Sequence, residues 1–240
     1  MTAVDADIKN RRRKILAAVF IVPLLVLAGL TLWGYLSWAT PAVLPPLRDG
    51  DIVFNTSRAR QTLAVGIATG SPLTHVGFIR HKNGVPYVME ASADTRETPL
   101  GAWIETGFAG RLLVLRLPDV PPAKSAAAIR WAEKNFGRPY DIFFAPGHDA
   151  FYCSEFVEAA FAAAGLQLGK TETLAALHLT SAPVRALIGE RWQRHPRCKG
   201  GQAKDADDCL SKIGALDIIT PVSIARDAAL VRVYSNYLFW

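Results

Sequence analysis

Phe151-Tyr152-Cys153-Ser154-Glu155-Phe156-Val157 is the stretch whose reading decides the fold. Phe156, Val157, Ala160, Phe161 and Ala164 recur at helical spacing, and Gly165 is a natural stop. Asp149 is the expected N-cap, which puts Cys153 in the first turn. Backbone N–H groups at a helix N-terminus favour negative charge, so a thiol held there loses its proton more readily and becomes a nucleophile. The alternative is a small buried hydrophobe, the usual fate of a free cysteine. A base elsewhere in the chain decides between the two.

Residues 74–80 form a β-rich run with His75 near its start, and residues 85–91 form a second run ending near Glu90. Asn83-Gly84 between them is a strong hairpin signal, with a loop of two residues or more. Pro86 argues for an edge or strand-start position. Folding back about that turn brings Glu90 close to His75. An imidazole with a carboxylate beside it is a general base with an orienting partner. Gly77 shares the face of His75 and leaves room there. Taken singly, His75 reads as a surface or core histidine and Glu90 as a solvated strand end.

The remaining segments alternate in type. Residues 50–54 form a short strand, 57–69 a mixed, partly helical stretch, and 111–117 a further strand. Residues 124–136 form an amphipathic helix closed by Gly137, and 138–149 lead by turns into the cysteine helix. Residues 166–188 read as helix in pieces, and 217–221 and 229–234 as late strand or loop. The expected class is α+β, with no internal repeat. His81, His148, His178 and His195 match no motif and read as surface residues.

The chain has 240 residues and a formal charge of +6. Five of the cations, Lys9, Arg11, Arg12, Arg13 and Lys14, precede a charge-free run over residues 15–38. At about 1.5 Å per residue such a run spans a hydrocarbon core of roughly 30 Å. Trp33, Tyr35 and Trp38 gather at its far end, as interfacial rings do. The expected organisation is a cytoplasmic basic N-terminus (1–14), a transmembrane signal anchor (15–38), a proline-rich linker (39–47) and one domain (48–240). The positive-inside rule exports that domain across the inner (cytoplasmic) membrane of a bacterial cell into the periplasm. A cleaved signal peptide ending near Ser37-Trp38-Ala39 is the competing reading, and it exports the domain equally. The basic residues flank an apolar run rather than spreading over a folded face with aromatics between them, so a nucleic-acid partner is not expected.

Cys153, Cys198 and Cys209 are the three cysteines. Cys198 and Cys209 bracket a polar, Gly/Lys/Asp-rich stretch that reads as a surface loop and can be stapled by a disulfide in an exported protein. Cys153 is then the odd thiol. The alternative is three unrelated thiols. No Cys-x-x-Cys or His-x-x-x-His spacing occurs, so no metal and no cofactor are expected.

Five pieces in this order carry a resemblance: Gly50-Asp51-Ile52-Val53-Phe54, Thr74-His75-Val76-Gly77-Phe78-Ile79, Tyr87-Val88-Met89-Glu90-Ala91, Pro139-Tyr140-Asp141 and Tyr152-Cys153-Ser154-Glu155-Phe156-Val157. The chain resembles the circularly permuted papain-fold cysteine hydrolases of the NlpC superfamily. Within them it is most similar to the YiiX/YebB-like branch, whose distant relatives include lecithin retinol acyltransferase-like proteins. The resemblance spans about residues 48–165 and weakens towards Tyr234. It implies a permuted papain-like fold, an antiparallel sheet packed against the cysteine-bearing helix. It also implies a triad of Cys153 as nucleophile, His75 as base and Glu90 as third residue, a place that often holds His or Asn in the superfamily. Tyr140 and Tyr152 are candidate supporting or oxyanion donors, as is the Cys153 backbone N–H. The functional expectation is an exported thiol amidase or peptidase acting on cell-wall peptides through a thioester. A lipid-directed acyl hydrolase or acyltransferase is the alternative, and a non-catalytic binding domain the third.

Overall fold

The computed structural model describes residues 11, 18–32, 38–145, 147 and 149–240. Residues 18–32 are helical, and their apolar side chains are exposed. The remainder of the expected 15–38 anchor lies outside the described residues. Among the described residues no helix is long and apolar enough to cross a membrane, so the expected transmembrane helix is not part of the architecture described. A separate compact unit runs from Ala39 to Trp240. Ala39 is buried in it, its N–H bonded to Gly110 O at 3.1 Å, and the proline-rich stretch carries one 3-10 turn, Pro41–Val43.

That unit is mixed α+β. Its chain runs β1 (Ile52–Asn55), α1 (Thr62–Thr69), β2 (His75–Lys82), β3 (Val85–Ala91), β4 (Thr95–Pro99), α2 (Leu100–Glu105), β5 (Leu113–Arg116), α3 (Pro122–Lys134) and α4 (Cys153–Ala163). It continues through β6 (Glu172–Thr173), α5 (Ala182–Arg191), α6 (Ala206–Ile213), β7 (Asp217–Ile218), α7 (Pro221–Ala225) and β8 (Val231–Ser235). The main sheet is antiparallel in the order β4-β3-β2-β1-β5-β8. The helix α4 packs on β2 and β3 and against α3. Its Phe156, Val157, Ala160 and Phe161 meet Phe54, Phe78 and Met89 of the sheet in the main core.

Two local devices bring this about. Asn83 and Gly84 both adopt positive φ, 52° and 78°, and close a two-residue turn with Lys82 paired to Val85. A turn of that twist matches the strands and fixes their register. The pairs Phe78↔Met89 and Ile79↔Val88 follow, and continuing that register by one residue sets Gly77 across from Glu90. The second device is the start of α4. Tyr152, not Asp149, is its N-cap, and the Glu155 carboxylate accepts the Tyr152 N–H at 3.4 Å. Asp149 is exposed and pairs with Arg138 instead. Extended backbone at Tyr152, anchored by Phe151 N–H donating to Pro139 O, starts the helix three residues later than the sequence suggests.

The polar stretch around the cysteine pair also departs from expectation. Cys198 and Cys209 are joined, with Cα atoms 5.5 Å apart, but neither is at the surface. Cys209 lies within α6, capped by the Asp205 carboxylate, and the pair nucleates a small second core with Ala203, Ile213 and Leu216. His195 is 3% exposed rather than on the surface.

Gly77 has no room for a side chain. A Cβ there would lie 2.8 Å from Met89 O and would collide with the Val88 side chain. Gly77→Ala is expected to lower stability by about 1–3 kcal/mol, the range for overpacking, measured by urea unfolding at constant m-value.

Candidate active site

Cys153, His75 and Glu90, the three residues singled out in the sequence, meet at one point. The His75 and Glu90 side chains are only 11% and 6% exposed, and His75 Nε2 lies 2.6 Å from Glu90 Oε2. With Nε2 engaged there, Nδ1 is the ring nitrogen left available to the thiol. His75 and Cys153 interact directly, side chain to side chain.

The hairpin delivers Glu90, and residues that the sequence did not flag hold it. Thr98 Oγ1 donates to Glu90 Oε1 at 2.6 Å, and Trp103 Nε1 donates to Oε2 at 3.0 Å. Trp103 also stacks on the His75 ring, with centroids 5.7 Å apart. These two come from β4 and α2, in a stretch that reads as loop because Thr95-Arg96-Glu97-Thr98-Pro99 has no apolar alternation. The one available signal was the short spacing from Ala91 to Thr95, which makes a second hairpin.

Electrostatics follow from this packing. Burial alone would lower the His75 pKa, but the thiol and the Glu90 carboxylate outweigh it and raise it to about 10. Burial would likewise raise Glu90, yet its bonds to His75, Thr98 and Trp103 hold it below the usual carboxylate value. Burial also pushes the Cys153 thiol up, and the His75 hydrogen bond and charge pull it down further than that, helped by the Val76 and Ser154 N–H groups. The net directions favour a thiolate–imidazolium pair. Such a pair is a nucleophile ready to attack a carbonyl carbon, with the proton already on the group that can hand it to a leaving amine.

The two tyrosines separate by role. Tyr140 is set beside the sulfur by its parallel bridge to Phe151 and its N–H bond to Ala93 O. Its hydroxyl accepts a hydrogen bond from Gln61 Nε2 at 3.0 Å, and Tyr140 and Cys153 line the same cleft. Burial and the neighbouring sulfur raise its pKa well above the ordinary value. Tyr152 turns its hydroxyl to the Ile219 N–H at 3.1 Å, and Ser154 Oγ donates to Ile219 O at 2.8 Å. Tyr152 and Ser154 therefore fasten α4 to residue 219.

Cys153 lines a solvent-connected cleft of about 120 Å³. Its walls are apolar: Ala64 and Ala68 from α1, Leu177, Val184, Leu187 and Ile188 from the segment around α5, and Phe143, Ile218 and Ile219 opposite. Among the described residues, Arg191 and His195 line it and no carboxylate does. His195 packs edge-on to Phe143, and burial lowers its pKa.

The sequence matches the family of permuted papain-like amidase enzymes of the YaeF/YiiX, C92 group over residues 46–234. It is 32% identical over 159 residues to the uncharacterized protein YiiX of Escherichia coli strain K12, an alignment covering 65% of this chain and 79% of that protein. The crystal structure of metalloprotein YiiX from Escherichia coli O157:H7 superposes with a TM-score of 0.69 at 27% identity, covering 79% of this chain and 98% of the other. The chain belongs to the permuted papain-like amidase family.

Glu90→Gln removes the carboxylate charge while keeping the shape. His75 has a raised pKa, so its stabilising contribution is complete below the ordinary 6.5 and fades as the pH rises towards about 10. Glu90 has a lowered pKa, so its contribution is present above the ordinary 4.5 and fades as the pH falls below it. The stability gap between wild type and Glu90→Gln is therefore expected to peak between pH 4.5 and 6.5 and to shrink on either side. Melting temperatures measured across pH 3–10, about the span of these titrations, check this.

Proposed function

We propose that this chain, as a member of the permuted papain-like amidase family, is a membrane-anchored, exported thiol hydrolase that releases long acyl chains from amide or ester linkage. Cys153 is the nucleophile, His75 the base and Glu90 the residue that orients and charges His75. The single observation that carries the substrate class is the apolar cleft beside Cys153, with no carboxylate among its lining residues. A cell-wall peptide, rich in charged groups, would leave those groups unpaired against leucine, isoleucine and phenylalanine. An acyl chain would bury its methylenes there at about 0.8 kcal/mol each.

The steps balance as follows. The thiol proton passes to His75, and the sulfur attacks the carbonyl carbon. The C–S bond forms as the carbonyl π pair moves onto oxygen. The Cys153 N–H and the Tyr140 hydroxyl are the donors available to that oxyanion. The imidazolium then protonates the leaving nitrogen or oxygen as its bond to carbon breaks, leaving a thioester. His75 next takes a proton from water, whose oxygen attacks the thioester. The acid departs and the thiol is restored.

Support for the anchor comes from the charge-free run, its basic N-terminal flank and its aromatic far end, and from the exposed apolar side chains along residues 18–32. A membrane tether keeps the domain near acyl lipids. The residues here do not fit a resident metal. Among the described residues the one grouping of suitable donors is His195, Cys198 and Cys209, but the two sulfurs are bonded to each other, which leaves His195 as the single remaining ligand.

Wild-type protein incubated with N-acyl amides and acyl esters of increasing chain length is expected to show kcat/KM rising steeply with length. Cys153→Ala and His75→Ala should each lose at least about 10³-fold, in keeping with loss of a nucleophile or its base. Release of peptide fragments from muropeptides, with no turnover of long-chain substrates, would restore the cell-wall reading. Val184→Trp, which fills the cleft, should raise KM for long chains and leave short esters unchanged.

A further inference from the structure

Two side chains behind Tyr140, Arg191 and Gln61, form with it a chain of hydrogen bonds whose direction is fixed. Arg191, the last residue of α5, lies on the cleft wall. It donates through Nη1 to Ile142 O at 2.7 Å and through Nη2 to Gln61 Oε1 at 2.9 Å. Gln61 Nε2 donates in turn to the Tyr140 hydroxyl at 3.0 Å. A guanidinium has donors and no acceptor, so the oxygen of the Gln61 amide must face it. The amide NH₂ must then face Tyr140. A hydroxyl has one proton, and with its lone pair receiving from Gln61, Tyr140 keeps that proton for another neighbour in the cleft that it lines with Cys153.

We propose that Arg191 and Gln61 are positioning residues that hold the Tyr140 O–H pointed at Cys153, where it solvates the thiolate and then the oxyanion. This rests on the thiol-hydrolase reading above. Tyr140 lies in one of the stretches that carry the family resemblance. Arg191 belongs to the segment between α4 and β7 that builds the cleft wall. The wall that receives the acyl group thus also sets the proton direction at the reacting atoms. Burial makes the arrangement effective, because a dipole fixed in a dry site acts on a nascent charge with little screening.

The decisive variant is Gln61→Glu. Its carboxylate still accepts from Arg191, so the contact that ties α1 to α5 persists. It offers Tyr140 only acceptors, so the phenol proton turns away from the sulfur and towards residue 61. The expected result is a Cys153 that reacts with iodoacetamide roughly tenfold more slowly at pH 6 than wild type, the scale of one charge-assisted hydrogen bond. Acyl-ester kcat should fall roughly 10²-fold, the scale of one oxyanion donor. Tyr140→Phe should match it in both, and the double variant should be no worse than either single one. Arg191→Lys, which keeps a donor for Gln61 Oε1, should retain most of the wild-type labelling rate.

A Gln61→Glu protein with unchanged labelling profile and kcat, beside a Tyr140→Phe protein that is impaired, would overturn the relay while leaving the hydrolase reading intact. A wild-type Cys153 that labels no faster than a free thiol would overturn the hydrolase reading itself. Melting temperatures of the variants equal to wild type identify the losses as chemical. Loss of fold in Gln61→Glu would contradict the claim that its contact with Arg191 persists, and would also overturn the relay.

Discussion

The 2.6 Å contact between His75 and Glu90 is the constraint on which the rest of the site depends. A buried carboxylate is tolerated when it is paired and its remaining lone pairs are met. Glu90 meets that condition through three donors, His75, Thr98 and Trp103. Each donor comes from a different element, β2, β4 and α2, so one carboxylate ties together one edge of the sheet and its covering helix. The lack of a Cβ at Gly77 keeps β2 clear of the Val88 side chain and Met89 O in the hairpin that carries the two groups. With Nε2 fixed on Glu90, the ring has one orientation left, and its free nitrogen faces the thiol at the start of α4.

The sequence made the larger part of this legible because its signals were local. Asn83-Gly84 set a turn, the turn set a register, and the register set Glu90 beside His75. The apolar stripe 156–164 made the cysteine helix visible. Boundaries were less legible. The N-cap fell on Tyr152 rather than Asp149, since backbone bonds to 139 and 141 extend the chain up to the helix. Partners supplied from a distance were invisible. Trp103, Gln61 and Arg191 reach the site across the fold, and nothing in their own neighbourhoods marks them. His195 looked solvent-facing for the same reason. Its burial follows from Phe143 and the Cys198–Cys209 core, both remote in sequence or formed by pairing.

The chain divides into the sheet with its cysteine helix and the region that walls the cleft, both inside the residues 46–234 that match the family. Strands β1, β2 and β3 and the start of α4, with the His75–Glu90 pair, hold most of the stretches that carry the family resemblance. The region between α4 and β7 supplies the leucine-rich wall, Arg191 and the disulfide-stapled core. Chemistry is thus held by the first and the choice of acyl group, in the reading advanced here, by the second. The arrangement has a physical logic. The sheet fixes the Glu90–His75–Cys153 line, and the wall reaches that line through Arg191, Gln61 and Tyr140.

The central claim is that Cys153 carries the acyl group of a long-chain substrate as a thioester. Intact-protein mass spectrometry of the wild-type chain, quenched in acid shortly after mixing with a long-chain acyl ester, tests it most directly. The account predicts an added mass equal to the acyl group, mapped by peptide analysis to Cys153, cleared by hydroxylamine and absent from the His75→Ala protein. Turnover of that substrate with no adduct at Cys153, or an adduct of equal yield when His75 is removed, would contradict it.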